Sequence, residues 1–260
     1  MSLPLIESAF SEWLQILGKN SVSNNPDLLR KTTTNCIGIT KQVPVILYPE
    51  TTDHVRKIIK IAIKYNIPIY PYSTGHNWGY GSANPAQDNC VLIDLSRMNK
   101  IISFDAEIGL LTIEPGVTQR QLDIFLKEQH YPYLIPVTGA GPDCSLMGNA
   151  LERGYGITPY ADHFAAVMGL EAVLPNGELY RSMLNGLGGE AVDKAFKWGM
   201  GPYVEGLFSQ SNFGIVTQMT IALAPKPERV EAFFFSVKKA DDFISVPLFS
   251  PTQELIEPWV

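Results

Sequence analysis

The chain has 260 residues, 45% hydrophobic and 18% charged, a balance that fits a globular protein built as one large domain or two small ones. Its net charge of −6 leaves no basic footprint for nucleic acid, and no run approaches the roughly 20 apolar residues that cross a bilayer. The first residues lack the positive region and long apolar stretch of a secretory signal, so a cytoplasmic location is expected.

Apolar residues at Leu5, Ile6, Phe10, Trp13, Leu14 and Leu17 recur at helical spacing. Residues 43–48 read as a strand. Thr52 is placed to cap a helix over 53–65, whose apolar stripe is Val55, Ile58, Ile59, Ala62 and Ile63. A strand over 67–70 then runs into Pro71-Tyr72-Ser73-Thr74-Gly75-His76-Asn77-Trp78-Gly79-Tyr80-Gly81. A strand feeding a Ser/Thr/Gly turn gathers backbone N–H groups at one point, which is how a phosphate nest is built. Gly75 permits close approach, and Gly79 and Gly81 permit dihedrals that other residues avoid. The loop matches neither G-x-G-x-x-G nor G-x-x-x-x-G-K-[ST]. By itself it is equally compatible with a glycine-rich surface turn carrying an incidental His76.

Short strand-like runs follow at 91–95, 100–104 and 110–114. Thr118 with Gln121 forms a capping-box pattern that starts a helix with Leu122, Phe125 and Leu126 inward. Residues 136–162 are dense in Gly, Pro and small residues, which let backbone lie against a flat ligand. A helix starting near Leu146 would favour anionic groups, and Gly154 is placed to end it at C′. A plain loop with one helical turn fits the same residues. Strands over 169–174 and 178–182 flank the turn Pro175-Asn176-Gly177. A strand over 214–223 comes next, and after Pro225-Lys226-Pro227 a strand over 231–237 opens a new unit. Strands and helices in runs, rather than in strict alternation, argue for an α+β fold.

Cys36, Cys90 and Cys144 form no CxxC pair and no zinc spacing, so thiols are expected in a reducing cytosol. His54, His76, His130 and His163 include no i, i+4 pair, and no metal site is expected.

Several blocks, in order, resemble the vanillyl-alcohol oxidase/p-cresol methylhydroxylase family, and within it the 4-alkylphenol-oxidising flavoenzymes. They are the 73–81 loop, Ile113-Glu114-Pro115-Gly116-Val117-Thr118, Gly148-Asn149-Ala150-Leu151-Glu152-Arg153-Gly154, Thr158-Pro159-Tyr160, Lys197-Trp198-Gly199 with Gly201-Pro202, and the run 208–217. The resemblance covers residues 40–228. It implies a PCMH-type FAD-binding domain of two α+β subdomains over 41–228. A helical lead-in over 1–40 precedes it, and the start of a cap domain that would bind substrate comes after it over 229–260. FAD would extend between the subdomains. Backbone N–H groups of Ser73, Thr74, Gly75, His76 and Asn77 would hold its pyrophosphate, with Tyr72 and Gly79 alongside. Gly148, Asn149, Gly154 and Thr158 would line the isoalloxazine and ribityl chain, with Gly141, Ser145, Gly156 and Tyr160 as further cofactor contacts. Gly214, Ile215 and Val216 would run beside the adenine.

The resemblance also implies hydride transfer from a phenolic or alcohol-type small molecule to the flavin, then reoxidation by O2 or a cytochrome. An FAD-binding fragment without independent catalysis is the alternative. No catalytic residue is assigned: Asp143 is a weak acid candidate that reads rather as a turn residue, Glu152 and Arg153 read as a local ion pair, and Tyr160 and His163 either face the ligand or pack. In berberine-bridge-type relatives a histidine at the place of His76 and a cysteine at the place of Cys144 are bonded to the flavin. The alkylphenol-type relatives usually carry neither. Both residues together point to a doubly linked FAD, with one link or none as the alternatives. Phe233, Phe234, Phe235 and Phe249 at an unfinished cap suggest association, for instance as a homodimer.

Overall fold

Side chains of the first sheet's inner strand alternate between its two faces, as the two-residue period of a pleated strand requires. In β4 (Val91–Asp94), Val91 and Ile93 pack under the helices, while Leu92 packs on the opposite face with Ile46, Tyr70 and Tyr72. β2 (Ile46–Leu47) and β3 (Ile69–Tyr72) flank β4 in parallel, and β1 (Val22–Ser23) pairs antiparallel to β2. With both faces covered, β2 and the first three residues of β4 read as continuous apolar runs. The computed structural model describes residues 3–156, 160–185, 190–199 and 201–229. The chain divides into two units, Met1–Lys226 and Pro227–Val260. The first unit holds all the described strands. The strand expected over 231–237, and Phe233, Phe234, Phe235 and Phe249, lie outside the described residues.

α1 (Leu3–Leu17) lays Trp13 fully buried against α3 (Thr52–Lys64), where the indole N–H donates to Ile58 O at 3.5 Å. The cap of α3 is Thr51, whose hydroxyl accepts from His54 N, so Thr52 is the first helical residue and not the cap. That shift frees the Thr52 hydroxyl for another partner. α2 (Pro26–Thr33) is a helix that apolar periodicity does not mark. Asn25 caps it by accepting from Asp27 N and Leu28 N, and Pro26 takes the first position, where its missing N–H costs nothing.

The second sheet is antiparallel throughout, in the order β5 (Ile101–Asp105), β6 (Leu110–Ile113), β9 (Ile215–Ala222), β7 (Val167–Val173), β8 (Leu179–Arg181). α4 (Gln119–Glu128) and α5 (Leu146–Leu151) bury Leu122, Leu126, Met147 and Ala150 in the same core as Leu111, Ile113, Met219 and Ile221. Thr118 caps α4, but Gln121 does not close the box: its amide donates to Asn99 O at 2.7 Å. The expected turn after β7 forms, with Gly177 at φ +80°. Sheet plus helices twice over makes the fold α+β.

Glu171 ties the two halves together. Its Oε1 accepts from Thr52 Oγ1 at 3.1 Å and from Thr217 Oγ1 at 3.0 Å, and its Oε2 accepts from Arg181 Nε at 3.0 Å. Thr52 belongs to the first half, whereas Thr217 and Arg181 belong to the second. Glu171→Ala strips three donors of their acceptor and is expected to cost about 3 kcal/mol, a fall in thermal midpoint of about 10 °C. Glu171→Gln, which keeps one acceptor oxygen, should recover part of that loss. An unchanged midpoint in the alanine variant would sink this account of the junction.

α6 (Glu190–Ala195) carries Asp193, whose carboxyl is pushed up to about 6 by burial, against weaker backbone hydrogen bonds. A carboxyl raised in the folded state favours folding when protonated. Its contribution is therefore full below about pH 4 and is lost as pH rises through about 6. Asp193→Asn should flatten the stability profile across that window, as read by thermal unfolding at a series of pH values.

Candidate functional site

β3 delivers the loop 73–82 to the seam between the sheets. Tyr72 ends the strand, and its hydroxyl donates to Asp94 Oδ2 at 2.7 Å. Burial, reinforced by the Asp94 carboxylate, pushes this phenol far above its ordinary value, so it stays protonated. Its ring lies against Gly75, which turns the chain at φ +72°. Asn77 closes the base of the loop, accepting from Ser82 N at 3.1 Å and donating to Ser82 O at 3.0 Å. Among the described residues, no protein acceptor takes the N–H groups of Thr74, Gly75, His76, Asn77 or Trp78. A run of uncommitted donors on one turn is what an anion nest consists of.

The facing wall is the segment 138–149. Ser145 caps α5, accepting from Gly148 N at 2.9 Å and donating to Pro115 O at 2.6 Å. Its own N–H donates to Thr74 Oγ1 at 3.1 Å, and the Cys144 thiol donates to His76 O at 3.6 Å. The two loops thus interlock. A Cβ on Gly148 would fall 2.3 Å from Ser73 Oγ, so the glycine leaves room for that hydroxyl between the loops. Gln119 braces the segment from behind, donating to Gly141 O at 3.1 Å and accepting from Thr138 N at 3.2 Å. Burial pushes the Cys144 thiol up, and a hydrogen bond from Gln119 offsets part of this, so the thiol is neutral at physiological pH.

Between these walls and the start of β9 lies a cleft of about 560 Å³. That is within the roughly 300–1,000 Å³ of small-molecule sites. Of the residues singled out in the sequence, Tyr72, Ser73, Thr74, Gly75, His76 and Asn77 line it on one side. Cys144, Ser145, Gly148 and Asn149 line it on the other, and Gly214, Ile215 and Val216 close it. Gly79, Gly141, Gly154, Gly156 and Tyr160 are not on its wall. Gly79 instead accepts from Cys36 N at 2.8 Å, and Tyr160 is 40% exposed. Thr158 lies outside the described residues.

Further lining comes from Trp78, Tyr80, Thr138, Met147, Phe208 and Gln210, none of them among the expected contacts. Trp78 and Tyr80 stand inside the motif loop itself, where aromatic residues read as packing; each is 65% exposed. Gln210 donates to Glu152 O at 3.1 Å, joining the third wall to α5.

Three local expectations are corrected. Gly154 does not supply the left-handed residue after α5: Arg153 does, at φ +53°. Arg153 pairs not with Glu152 but with Ser209, its Nε donating to Oγ at 3.1 Å. Asp143 forms a two-bond surface pair with Arg120, at 2.8 and 3.3 Å, which holds its carboxyl below the usual range; a carboxylate held ionised is no proton donor. Among the described residues, no cluster of His, Cys, Asp and Glu could hold a metal ion, and no helix is long and apolar enough to cross a membrane.

The walls fit a dinucleotide with a flat ring system. The uncommitted N–H groups suit a pyrophosphate, and Met147, Leu151, Phe208 and Ile215 offer apolar surface to rings. A family model described as an FAD binding domain matches residues 43–182. The 1'-carboxy-chondrochloren decarboxylase of Chondromyces crocatus is 38% identical over 92% of this chain and 44% of its own length. The 4-cresol dehydrogenase [hydroxylating] flavoprotein subunit of Pseudomonas putida is 39% identical over 75% of this chain and 38% of its own. A crystal structure of p-cresol methylhydroxylase with substrate bound superposes with a TM-score of 0.85 at 34% identity, covering 88% of this chain and 45% of that one. The chain thus spans less than half the length of these relatives. The interlocked loops around an anion nest and the matched family model lead to one conclusion: the chain belongs to the FAD-binding domain family of PCMH-type flavoproteins, and FAD is its cofactor.

Proposed function

We propose that the chain is the cofactor-holding half of an FAD-dependent oxidoreductase that oxidises a phenolic or alcohol-type small molecule and passes the electrons to O2 or a cytochrome. The observation that carries this reading is the row of uncommitted N–H groups at residues 74–78, set in a chain 39% identical to a cresol dehydrogenase flavoprotein subunit. When bound, FAD supplies the hydride acceptor. The chain's own part is to bind the phosphates through the 74–78 backbone and to keep water off the ring with Met147, Leu151 and Phe208. Tyr72 has no free proton to give, because Asp94 holds it. The relative from Chondromyces crocatus is named a decarboxylase, so binding FAD in this way is compatible with more than one reaction. Three free thiols support a cytoplasmic location, and a homodimer is retained as part of the proposal.

The finer proposal is that FAD is retained covalently through His76 and Cys144. Both residues line the cleft, and the Cys144 sulfur reaches the His76 carbonyl. Each link would exchange an N–H or S–H and a flavin C–H for one N–C or S–C bond, and the two protons and two electrons released per link would pass to dioxygen. The neutral state of the thiol means that it must lose its proton in the step.

A second reading, in which the chain holds FAD without turnover, is favoured by the ion pair that takes the acid candidate Asp143 out of play. Anaerobic addition of a 4-alkylphenol separates the two. Bleaching of the flavin absorbance is expected, and a bound flavin that keeps its colour would leave the second reading standing.

A further inference from the structure

Behind the α5 wall is a side-chain pair that cofactor binding does not yet explain. His163 is 4% exposed and bonds through Nδ1 to Asn149 Oδ1, and its Nε2 is buried with no partner among the described residues. Two glycines are shaped around this pair. A Cβ on Gly154 would fall 2.2 Å from Asn149 Nδ2, and one on Gly156 would fall 2.5 Å from His163 Nε2. Neither glycine has a positive φ, so both are there for space and not for backbone freedom. Asn149 lines the cleft, and His163 stands behind it.

A neutral imidazole carries one N–H, and the surroundings choose which nitrogen holds it. On Nε2 it would be a buried donor with no acceptor, among the rarest and costliest defects of a protein interior. On Nδ1 it donates to Asn149 Oδ1, leaving only an unused lone pair. Burial also lowers the pKa of His163, against a weaker opposing pull from Asp162, so the ring stays neutral. With its oxygen turned to His163, the Asn149 amino group remains an uncommitted donor.

We propose that His163 is a positioning residue: its Nδ1–H holds the Asn149 carboxamide with the oxygen inward, so that the amino group is the donor Asn149 offers to the cofactor. This rests on the FAD reading of the cleft. Nitrogen-15 NMR of the holoprotein should show His163 as the neutral Nδ1–H tautomer, without protonation as pH falls through the ordinary histidine value of about 6.5. An Nε2–H tautomer, or ordinary titration, overturns the proposal. FAD affinity is then measured in a His76→Ala/Cys144→Ala background, where covalent retention cannot mask it. His163→Phe and Asn149→Ala should each weaken binding by about tenfold, and the double variant by no more than either alone. Additive losses overturn the proposal. His163→Gln keeps an N–H donor and should recover most of the affinity, and this arm still decides if the phenylalanine variant does not fold. Failure of the background protein to take up FAD counts against the cofactor reading instead, and the tautomer measurement still decides whether His163 holds Asn149.

Discussion

Gly116→Ala is expected to lower the thermal midpoint by about 10 °C and to weaken FAD binding with it. A Cβ at this position would lie 2.3 Å from Ser96 O, 2.8 Å from Ser96 C and 2.9 Å from Met98 O. All three obstacles are main chain, so no side-chain rotation relieves them. Gly116 N also donates to Met98 O at 2.6 Å, which pins the two segments together. Overpacking usually costs about 1–3 kcal/mol, and rigid backbone on all sides puts this site at the upper end. The position matters as much as the size of the clash. Ser96 and Met98 come after the central strand of the first sheet, and Gly116 comes after β6 of the second, so the added methyl pushes the sheets apart. Leu95 and Pro115, the neighbours of these residues, line the cleft. Gly148→Ala is a useful contrast: its nearest obstacle is the Ser73 hydroxyl, which rotates away, so cofactor contacts should suffer more than stability. Thermal unfolding with and without FAD measures both. A Gly116→Ala midpoint within about 2 °C of wild type would refute the clash.

Acid-precipitated wild-type protein is expected to stay yellow, and the His76→Ala/Cys144→Ala double variant to release all of its flavin. Each single variant should keep the colour through the remaining link, so the change from full to no retention appears only in the double. The reason is geometric: His76 and Cys144 come from the two loops that Ser145 N and Thr74 Oγ1 clasp together. Links at both places would fasten the ring system to each loop separately. An electron-withdrawing bond at the ring also makes a flavin a stronger oxidant, so each single variant should lower the reduction potential. Colourless wild-type pellets over a yellow supernatant would rule out both links at once.

Much of the fold is legible in periodicity. Of the stripe Val55, Ile58, Ile59, Ala62 and Ile63, the first four lie inward on α3, while Ile63 is exposed and Ile61 is buried instead; Ile215 to Ala222 forms the strand expected there. Short elements are harder to read, because two-residue strands such as β1 and β2 carry no period. Caps are legible only to within a residue, since Thr51 and Thr52 offer the same hydroxyl and only the contact with Glu171 tells them apart. At the cleft, the motif loop stands out because glycine and hydroxyl residues cluster in it. Gln119 and His163 act through contacts distant in sequence, which no local pattern announces. Gly154 and Gly156 look like conformational glycines, whereas the structure uses them as slots for side chains.

The strand order of the second sheet has a consequence for how the protein is made. β9 is the last of the sheet's strands to be synthesised, yet it lies in the middle, with Leu110 pairing to Ala222 and Val167 to Ile221. At about 5–20 residues per second, β5, β6, β7 and β8 emerge from the ribosome with their central partner still missing. The first sheet and its helices can assemble by then, since all of its strands precede residue 95. The half of the cleft that carries Cys144 must wait, its open strand edges exposed to other chains. Nascent chains halted before Ile215 should therefore hold a folded first half beside a second half that depends on chaperones, and cofactor capture should come only with the completion of β9.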